Sequence, residues 1–158
     1  MHPITSFLWL ETQAEQAANF YTSIFTNSEI KKVTRTPEGI PGMRSGAVLT
    51  VEFNLNGTNF VALNGNAQYK PTPAISFVVN CDTQDEVDHY WNSLLDGGNA
   101  MACGWLTDKY GISWQITPTL LPKLISDPNQ AKANAVMQAM MQMIKLDIPT
   151  LQKAYDEA

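Results

Sequence analysis

The chain has 158 residues, of which 44% are apolar and 16% are charged, and its formal net charge is −5. This length suits one domain with a sizeable core, so we expect residues 1–158 to form a single domain. The acidic balance argues against a nucleic-acid partner, because phosphate binding needs a concentrated basic patch and the ten Lys and Arg residues are scattered along the chain.

The lack of recognisable targeting signals and the cysteine usage predict a cytoplasmic protein. No apolar run reaches the roughly 20 residues that span a bilayer, which also argues against a membrane partner. Met1, His2 and Pro3 do not begin a signal peptide. Cys81 and Cys103 could form one bridge at most, and a reducing compartment would keep both as thiols. Because Cys-x-x-Cys spacing is absent, nothing predicts a structural zinc site.

Two similar strand-to-helix segments indicate an internal repeat. Residues 4–10 and 75–79 are apolar and aromatic runs of strand length. A capping box follows each run, Thr12-x-x-Glu15 in the first case and Thr83-x-x-Glu86 in the second. In such a box the hydroxyl and the carboxylate satisfy free N–H groups at a helix start. Helices should therefore follow both strands, through about residue 25 and about residue 95.

Three further strands are predicted after each helix. In the first unit they cover residues 30–36, 47–55 and 58–63, and Asn56-Gly57 is typical of a two-residue hairpin between the last two. In the second unit they cover residues 100–103, 104–106 and 112–117. This order describes an α+β fold of two tandem β-α-β-β-β units, about 3–65 and about 73–118. We expect a curved mixed sheet that surrounds a pocket.

The remaining residues, about 119–158, read as a helical tail. Asp127 before Pro128 predicts a helix start. The following turns carry an apolar face made of Ala131, Ala135, Met137, Met140, Met141 and Ile144. Because methionine adapts to irregular packing, this face is interpreted as core or dimer contact. Pro149 is predicted to start a last short helix.

One segment links the repeat to a known family. Residues 103–116, Cys-Gly-Trp-Leu-Thr-Asp-Lys-Tyr-Gly-Ile-Ser-Trp-Gln-Ile, resemble the PhnB-like branch of the vicinal oxygen chelate superfamily. Residues 60–65, 75–81 and 143–148 match the branch pattern too, so the resemblance covers nearly the whole chain. The superfamily contains glyoxalase I, extradiol dioxygenases and bleomycin-resistance proteins. The resemblance implies a glyoxalase fold and a homodimer, since paired units commonly build the cavity together.

Members of this branch often carry the label demethylubiquinone methyltransferase-like. A methyltransferase of the usual kind needs a glycine-rich loop between a parallel strand and a helix to hold its sulfonium nucleotide. This chain has no such loop. The sequence therefore argues against methyl transfer.

The resemblance also directs attention to four positions of a metal site. In metal-dependent relatives the first and last strands of each unit supply His, Glu or Gln ligands. Alignment of the two units puts Ser6, Val61, Phe77 and Gln115 at these places. Only Gln115 is a plausible ligand, whereas divalent first-row metals usually need three from the protein. We therefore predict no metal and no other cofactor.

Strand alternation predicts which side chains line the pocket. Ser113, Gln115 and Thr117 share one face of the last strand, and Glu52 belongs to a polar face of the third. If the apolar faces pack on the helices, these polar side chains look into the cavity. The predicted ligand-binding residues are Ser6, Trp9, Glu52, Val61, Trp105, Ser113 and Gln115. Trp9 and Trp105 could stack on a planar ligand or pack in the core.

Glu52 is the candidate catalytic residue, because a carboxylate in a half-apolar cavity could act as a base. The alternative is an ordinary exposed strand carboxylate. Cys103 lies beside Trp105, but its local sequence offers no cation, histidine or helix start to activate a thiol, and a buried structural thiol is the favoured interpretation. His2 and His89 are interpreted as surface residues.

These observations favour a small-molecule-binding protein without a catalytic metal, whose ligand the sequence does not identify. The alternative is a vicinal oxygen chelate enzyme of the lyase, isomerase or dioxygenase type, with a divalent metal or with Glu52 as base. A third hypothesis is dimerisation through the methionine-rich tail, with no ligand at all.

Overall fold

The computed structural model describes residues 4–158, so Met1, His2 and Pro3 lie outside the described residues, and with them the expected surface position of His2. The chain forms two compact units, the first ending at Pro71 and the second beginning at Thr72. In the described part of the chain, no helix has both the length and the apolar character that a membrane crossing requires. The expectation of a single domain stays a prediction.

The first unit is a four-stranded mixed sheet with one helix packed on it. Its elements are β1 (Ser6–Leu10), α1 (Ala14–Ile24), β2 (Glu29–Arg35), β3 (Val48–Leu55) and β4 (Thr58–Asn64). The strand order is β1-β4-β3-β2, with β1 parallel to β4 and the other pairs antiparallel. Val51, Phe53 and Leu55 alternate along β3 and are buried on the side of α1, where the Tyr21 ring stacks on Phe53 with centroids 6.1 Å apart.

The second unit repeats this arrangement. Its elements are β5 (Phe77–Cys81), α2 (Gln84–Leu95), β6 (Asn99–Ala100), β7 (Trp105–Thr107) and β8 (Ser113–Pro118). The strand order is β5-β8-β7-β6, again with the first strand parallel to the last. The predicted α+β class and the tandem β-α-β-β-β units are confirmed. Each unit has its own four-stranded sheet, and neither sheet is closed. A pocket beside the sheets stays a prediction.

Only one of the two predicted capping boxes forms. Thr83 Oγ1 accepts a hydrogen bond from the Glu86 N–H, and the Glu86 side chain accepts from the Thr83 N–H in return. The box predicted at Thr12 is wrong, because α1 begins at Ala14. The Ala14 N–H instead donates to Asn64 Oδ1 at 2.8 Å, from the end of the strand that pairs with β1. A residue distant in sequence thus replaces the local cap.

The Asn56-Gly57 hairpin is confirmed. The two residues have φ angles of 45° and 91°, and they connect Leu55 to its strand partner Thr58. Positive φ at both central positions is what this type of turn requires. The Asn54 side chain accepts a hydrogen bond from the Gly57 N–H at 2.7 Å, which fixes the turn further.

The tail forms three helices around its own apolar cluster. They are α3 (Leu120–Ile125), α4 (Gln130–Met141) and α5 (Ile148–Asp156), and the last contains Pro149 in its first turn as predicted. The cluster consists of Leu121, Leu124, Val136, Leu146 and Leu151.

Two predictions for α4 need correction. Its cap is Asn129, whose Oδ1 accepts from the Ala131 N–H at 3.1 Å. Asp127, the predicted cap, instead accepts from the Asn129 N–H and from the Tyr155 hydroxyl. The core face of α4 also differs from the predicted apolar face, whose other interpretation as a dimer contact stays a prediction. Val136 and Ala133 point inward, whereas the predicted face leaves Met137, Met141 and Ile144 exposed.

Asn64→Ala should lower the free energy of unfolding by about 1–3 kcal/mol. The substitution removes the acceptor of the Ala14 N–H and the donor to the Val48 carbonyl at 3.0 Å. Asn66→Ala is the control, because its side chain accepts only within an exposed turn, from the Gln68 N–H. Urea unfolding of both variants checks the prediction, and an equal loss in the two would contradict it.

Candidate functional site

Each sheet has one face packed on its helix, and we call the opposite side its open face. On the second sheet, Phe77, Val79 and Cys81 of β5 share the helix side with Trp114 and Ile116 of β8. Side chains alternate along a strand, so the intervening residues belong to the open face. They are Val78, Asn80, Trp105, Thr107, Ser113, Gln115 and Thr117.

Ser113 has an unusual position on this open face. Its relative exposure is 1%, and its strand partner is Thr107. Among the described residues, Ser113 Oγ is the buried side-chain oxygen or nitrogen without a hydrogen-bond partner. A buried hydroxyl that lacks a partner costs about 1–3 kcal/mol, so a molecule that bonds to it is favoured.

Gln115 lies in the middle of one row across the same face. Its strand partners are Val78 on one side and Trp105 on the other. The Gln115 side-chain amide donates to Ser76 Oγ at 2.8 Å, which holds the side chain in place. The half-buried Trp105 indole is therefore next to an oriented amide, a pairing that suits a planar molecule with polar groups at its edge.

The open face of the first sheet carries three of the predicted site residues. Glu52 and Val61 are strand partners, and Lys32 is the partner of Glu52 on the other side. Glu52 is half-buried, so it is neither an ordinary exposed carboxylate nor an enclosed one. Trp9 belongs to this face as well, two residues after Phe7.

Trp9 has a structural role in this arrangement. Its indole N–H donates to the Asn66 carbonyl at 3.0 Å, and its ring meets Tyr69 edge to face with centroids 5.1 Å apart. A Cβ atom at Gly65 would lie 2.2 Å from the Trp9 ring. Trp9 therefore anchors the loop after β4, and of the two candidate tryptophans Trp105 is better placed for a ligand.

The alignment of the first strands is wrong by one residue in both units. Ser6 pairs with Phe60 and shares the helix side with Leu8, while Phe77 pairs with the buried Trp114. The open face instead receives Phe7 and Val78, which are 59% and 50% exposed. A one-residue shift moves a side chain to the other face of a strand. Ser6 accordingly does not share the open face of the first sheet with Glu52 and Val61.

The corrected positions do not fit the catalytic metal that the resemblance to metal-dependent proteins implies. Phe7, Val61, Val78 and Gln115 now occupy the four places, and only the amide of Gln115 could ligate. A divalent metal usually takes three protein ligands from imidazole, carboxylate or thiolate groups. Within residues 4–158, no three His, Cys, Asp or Glu side chains lie close enough together to hold a metal ion.

Sequence reasoning missed two contributors to the second sheet. Thr107 is the last residue of β7 and lies one residue beyond the predicted strand, which ends at residue 106. Ser76 precedes β5 in sequence, and its bond to Gln115 arises from the tertiary fold alone.

Asp108 is a buried carboxylate that the sequence did not single out. Its exposure is 3%, and it accepts hydrogen bonds from the backbone N–H groups of Tyr110 and Ile112. Its second oxygen accepts from the Trp114 indole N–H at 2.8 Å. With these bonds Asp108 holds the turn between β7 and β8, which is a structural role.

The cysteines and His89 lie in different environments. Cys81 is buried, and burial, followed by the nearby Glu86 and Asp82 charges, raises the pKa of its thiol to about 11. Cys103 is half-buried rather than buried and has a positive φ of 60°. His89 is exposed on α2, as predicted.

Two tandem β-α-β-β-β units with open mixed sheets are the glyoxalase fold. A PhnB protein from Bacillus cereus, provisionally described as a 3-demethylubiquinone-9 3-methyltransferase, is 39% identical, with a TM-score of 0.68, and its match covers 75% of this chain and 100% of its own. Protein PA1353 from Pseudomonas aeruginosa is 16% identical, with a TM-score of 0.63 and coverages of 75% and 98%. The fosfomycin resistance protein FosX from Listeria monocytogenes is 13% identical, with a TM-score of 0.51 and coverages of 75% and 93%.

Residues 2–117 match the family described as 3-demethylubiquinone-9 3-methyltransferase. The chain belongs to this PhnB-like family. Among curated proteins, none matches the chain significantly.

Iodoacetamide at pH 8 should modify Cys103 before Cys81 in the folded protein. The thiolate is the reactive form, and with a pKa of about 11 Cys81 has a roughly hundredfold smaller thiolate fraction than at its ordinary value of 9.0. Peptide mass spectrometry over time measures both rates. The same reaction in concentrated urea is the control, where the rates should converge. Equal rates in the folded protein would contradict the assigned environments.

Proposed function

We propose that this protein binds a neutral, planar small molecule on the open face of its second sheet, without a catalytic metal. The observation that carries the proposal is the buried Ser113 hydroxyl, which has no partner within the described residues. It shares its face with the row formed by Trp105 and Gln115. An aromatic surface and polar groups that converge beside it are typical of ligand sites.

The charge of the open face supports a neutral ligand. Its strand residues are hydroxyl, amide, aliphatic and indole side chains, and none of them is ionised. An ion on this face would lose hydration without gaining a counter-charge, which costs far more than the burial of a neutral polar group. A neutral molecule can instead exchange hydrogen bonds with Ser113 and Gln115 while its ring contacts Trp105.

The donor set supports binding without a metal. Three of the four corresponding positions are the apolar residues Phe7, Val61 and Val78. Gln115, the fourth, already donates its amide hydrogen to Ser76. A single neutral amide cannot replace the ligands that hold a divalent ion.

The family description names methyl transfer, but the strand-to-helix connections do not favour it. Residues 11–13 join β1 to α1, and residues 82–83 join β5 to α2. Neither connection contains a glycine, whereas the usual sulfonium-nucleotide site requires a glycine-rich loop in this place. We therefore take the family name as a statement of kinship rather than of reaction.

Benzamide should bind to the open face of the second sheet, whereas benzoate and benzylamine should not. The three compounds are similar in size, but only benzamide is neutral, and a charged group would be desolvated without a partner. Amide resonances of Trp105, Thr107, Ser113 and Gln115 are expected to shift in an NMR titration with benzamide and a set of other neutral planar fragments.

Trp105→Ala should weaken fragment binding by about 5- to 30-fold through the loss of the aromatic contact. His89→Ala is the matched control, since it removes an exposed aromatic ring from α2. Tighter binding of benzoate or benzylamine, or shifts confined to other surfaces, would contradict the proposal.

Purified protein should contain substoichiometric amounts of zinc, nickel, manganese and iron by elemental analysis. The reason is that only one side chain at the four corresponding positions can donate to a metal. The decisive comparison is with Gln115→Ala, which should leave the metal content unchanged. A stoichiometric ion in the native protein that is lost in this variant would overturn binding without a metal.

A further inference from the structure

The C-terminal tail, residues 119–158, lies beyond the part of the chain that the family model matches. The family match ends at residue 117. Each of the three solved relatives is matched over 93–100% of its own length, yet each match covers 75% of this chain.

One short part of the tail, residues 143–148, packs directly on the β-α-β-β-β part of the second unit, and we call it the strap. It connects α4 to α5 and lies beside the loop that leads into β7. The Cys103 N–H donates to the Met143 carbonyl at 2.8 Å, and the Gly104 N–H donates to the Ile144 carbonyl at 2.7 Å. Two consecutive backbone groups immediately before Trp105 are thus held by the strap.

Side-chain packing fixes the same loop. Gly104 has a φ of 81°, and a Cβ atom there would lie 2.9 Å from both the Ile116 carbonyl oxygen and the Leu146 side chain. Leu146 belongs to the strap and is fully buried in the apolar cluster of the tail. Cys103 has a positive φ of 60°, a conformation that residues other than glycine adopt only when their surroundings impose it. The strap supplies those surroundings.

Two side chains of α2, Gln84 and Asp88, bond to the strap, and we call these contacts the latch. Gln84 donates to the Leu146 carbonyl at 3.2 Å and accepts from the Ile148 N–H at 2.8 Å. The Lys145 ammonium pairs with Asp88 Oδ1 at 2.6 Å. This hydrogen bond from Lys145, followed by one from Gln84, lowers the pKa of the Asp88 carboxyl. The strap is therefore fixed at one end of α2 by three polar contacts.

We infer that the strap is a positioning element for the ligand site, holding the 103–104 loop so that Trp105 keeps its place beside Gln115. The path is short, since Trp105 follows Gly104 directly and is the strand partner of Gln115. The inference rests on the proposed function for its consequence on binding. Its structural part, the effect of the strap on Trp105, stands independently of any ligand.

The test compares two double variants. Gln84→Ala with Lys145→Ala removes the latch. Gln152→Ala with Lys153→Ala is the control, because these residues bond within α5, to Asp156 and Glu157. Both variants lose one amide and one ammonium group, so their composition changes in the same way. Leu146→Ala is a further variant, which keeps the latch but removes the side chain packed on Gly104.

Three measurements follow on native protein and on each variant. In the latch variant, hydrogen exchange of the Cys103 and Gly104 amides should accelerate at least about tenfold, since both lose their fixed acceptors. The Trp105 indole resonance, assigned with Trp105→Phe, should shift, and benzamide affinity should fall at least about threefold. The control variant should match the native protein in all three, and Leu146→Ala should change in the direction of the latch variant.

The outcomes separate the two proposals. Unchanged exchange at Cys103 and Gly104 in the latch variant and in Leu146→Ala would overturn the inference. Faster exchange with an unchanged Trp105 resonance and unchanged benzamide affinity would overturn it too, because the strap would then hold the loop without positioning the site. If neither benzamide nor any other neutral fragment binds the native protein, the proposed function fails. The indole resonance alone then decides whether the strap positions Trp105.

Discussion

The packing of one helix on one face of each four-stranded sheet is the constraint from which the rest of the structure follows. Val51 and Phe53 in the first unit, and Trp114 and Ile116 in the second, must lie against a helix to leave water. Since successive side chains of a strand point to opposite sides, their neighbours are committed to the open face. Burial on one side thereby assembles the polar set of Ser113 and its neighbours on the other side.

The sequence predicted the fold well where local chemistry decides the structure. Strand alternation in β3 and β8, the Thr83 capping box and the Asn56-Gly57 hairpin each act over a few residues, and all were confirmed. The first strands gave no such signal, because large apolar residues occupy both of their faces, and the predicted alignment was therefore wrong by one residue. The start of α1 depends on Asn64, fifty residues away in sequence, and no local pattern reveals such a cap. The lack of a hydrogen-bond partner for Ser113 Oγ likewise depends on the tertiary structure, so no sequence pattern predicts it.

The family description and the side chains of the candidate site lead to different conclusions about the activity of this chain. It belongs to a family described as 3-demethylubiquinone-9 3-methyltransferase, and it shares its fold with the fosfomycin resistance protein FosX. Its strand-to-helix connections contain no glycine, and residues 4–158 hold no cluster of metal-ligating side chains. What the open face of the second sheet supplies is an uncharged surface with an indole, an oriented amide and a buried hydroxyl. We infer that the strap formed by residues 143–148 supports that indole through its hydrogen bonds to Cys103 and Gly104.

A crystal structure of the protein soaked with benzamide, recorded with anomalous scattering, tests the central claim most directly. Our account places the compound against the Trp105 ring, with its amide bonded to Ser113 Oγ and Gln115, and with no anomalous peak coordinated by the protein. A metal ion held by side chains of the open faces would contradict the account. A compound bound elsewhere, with Ser113 still without a partner, would contradict it as well.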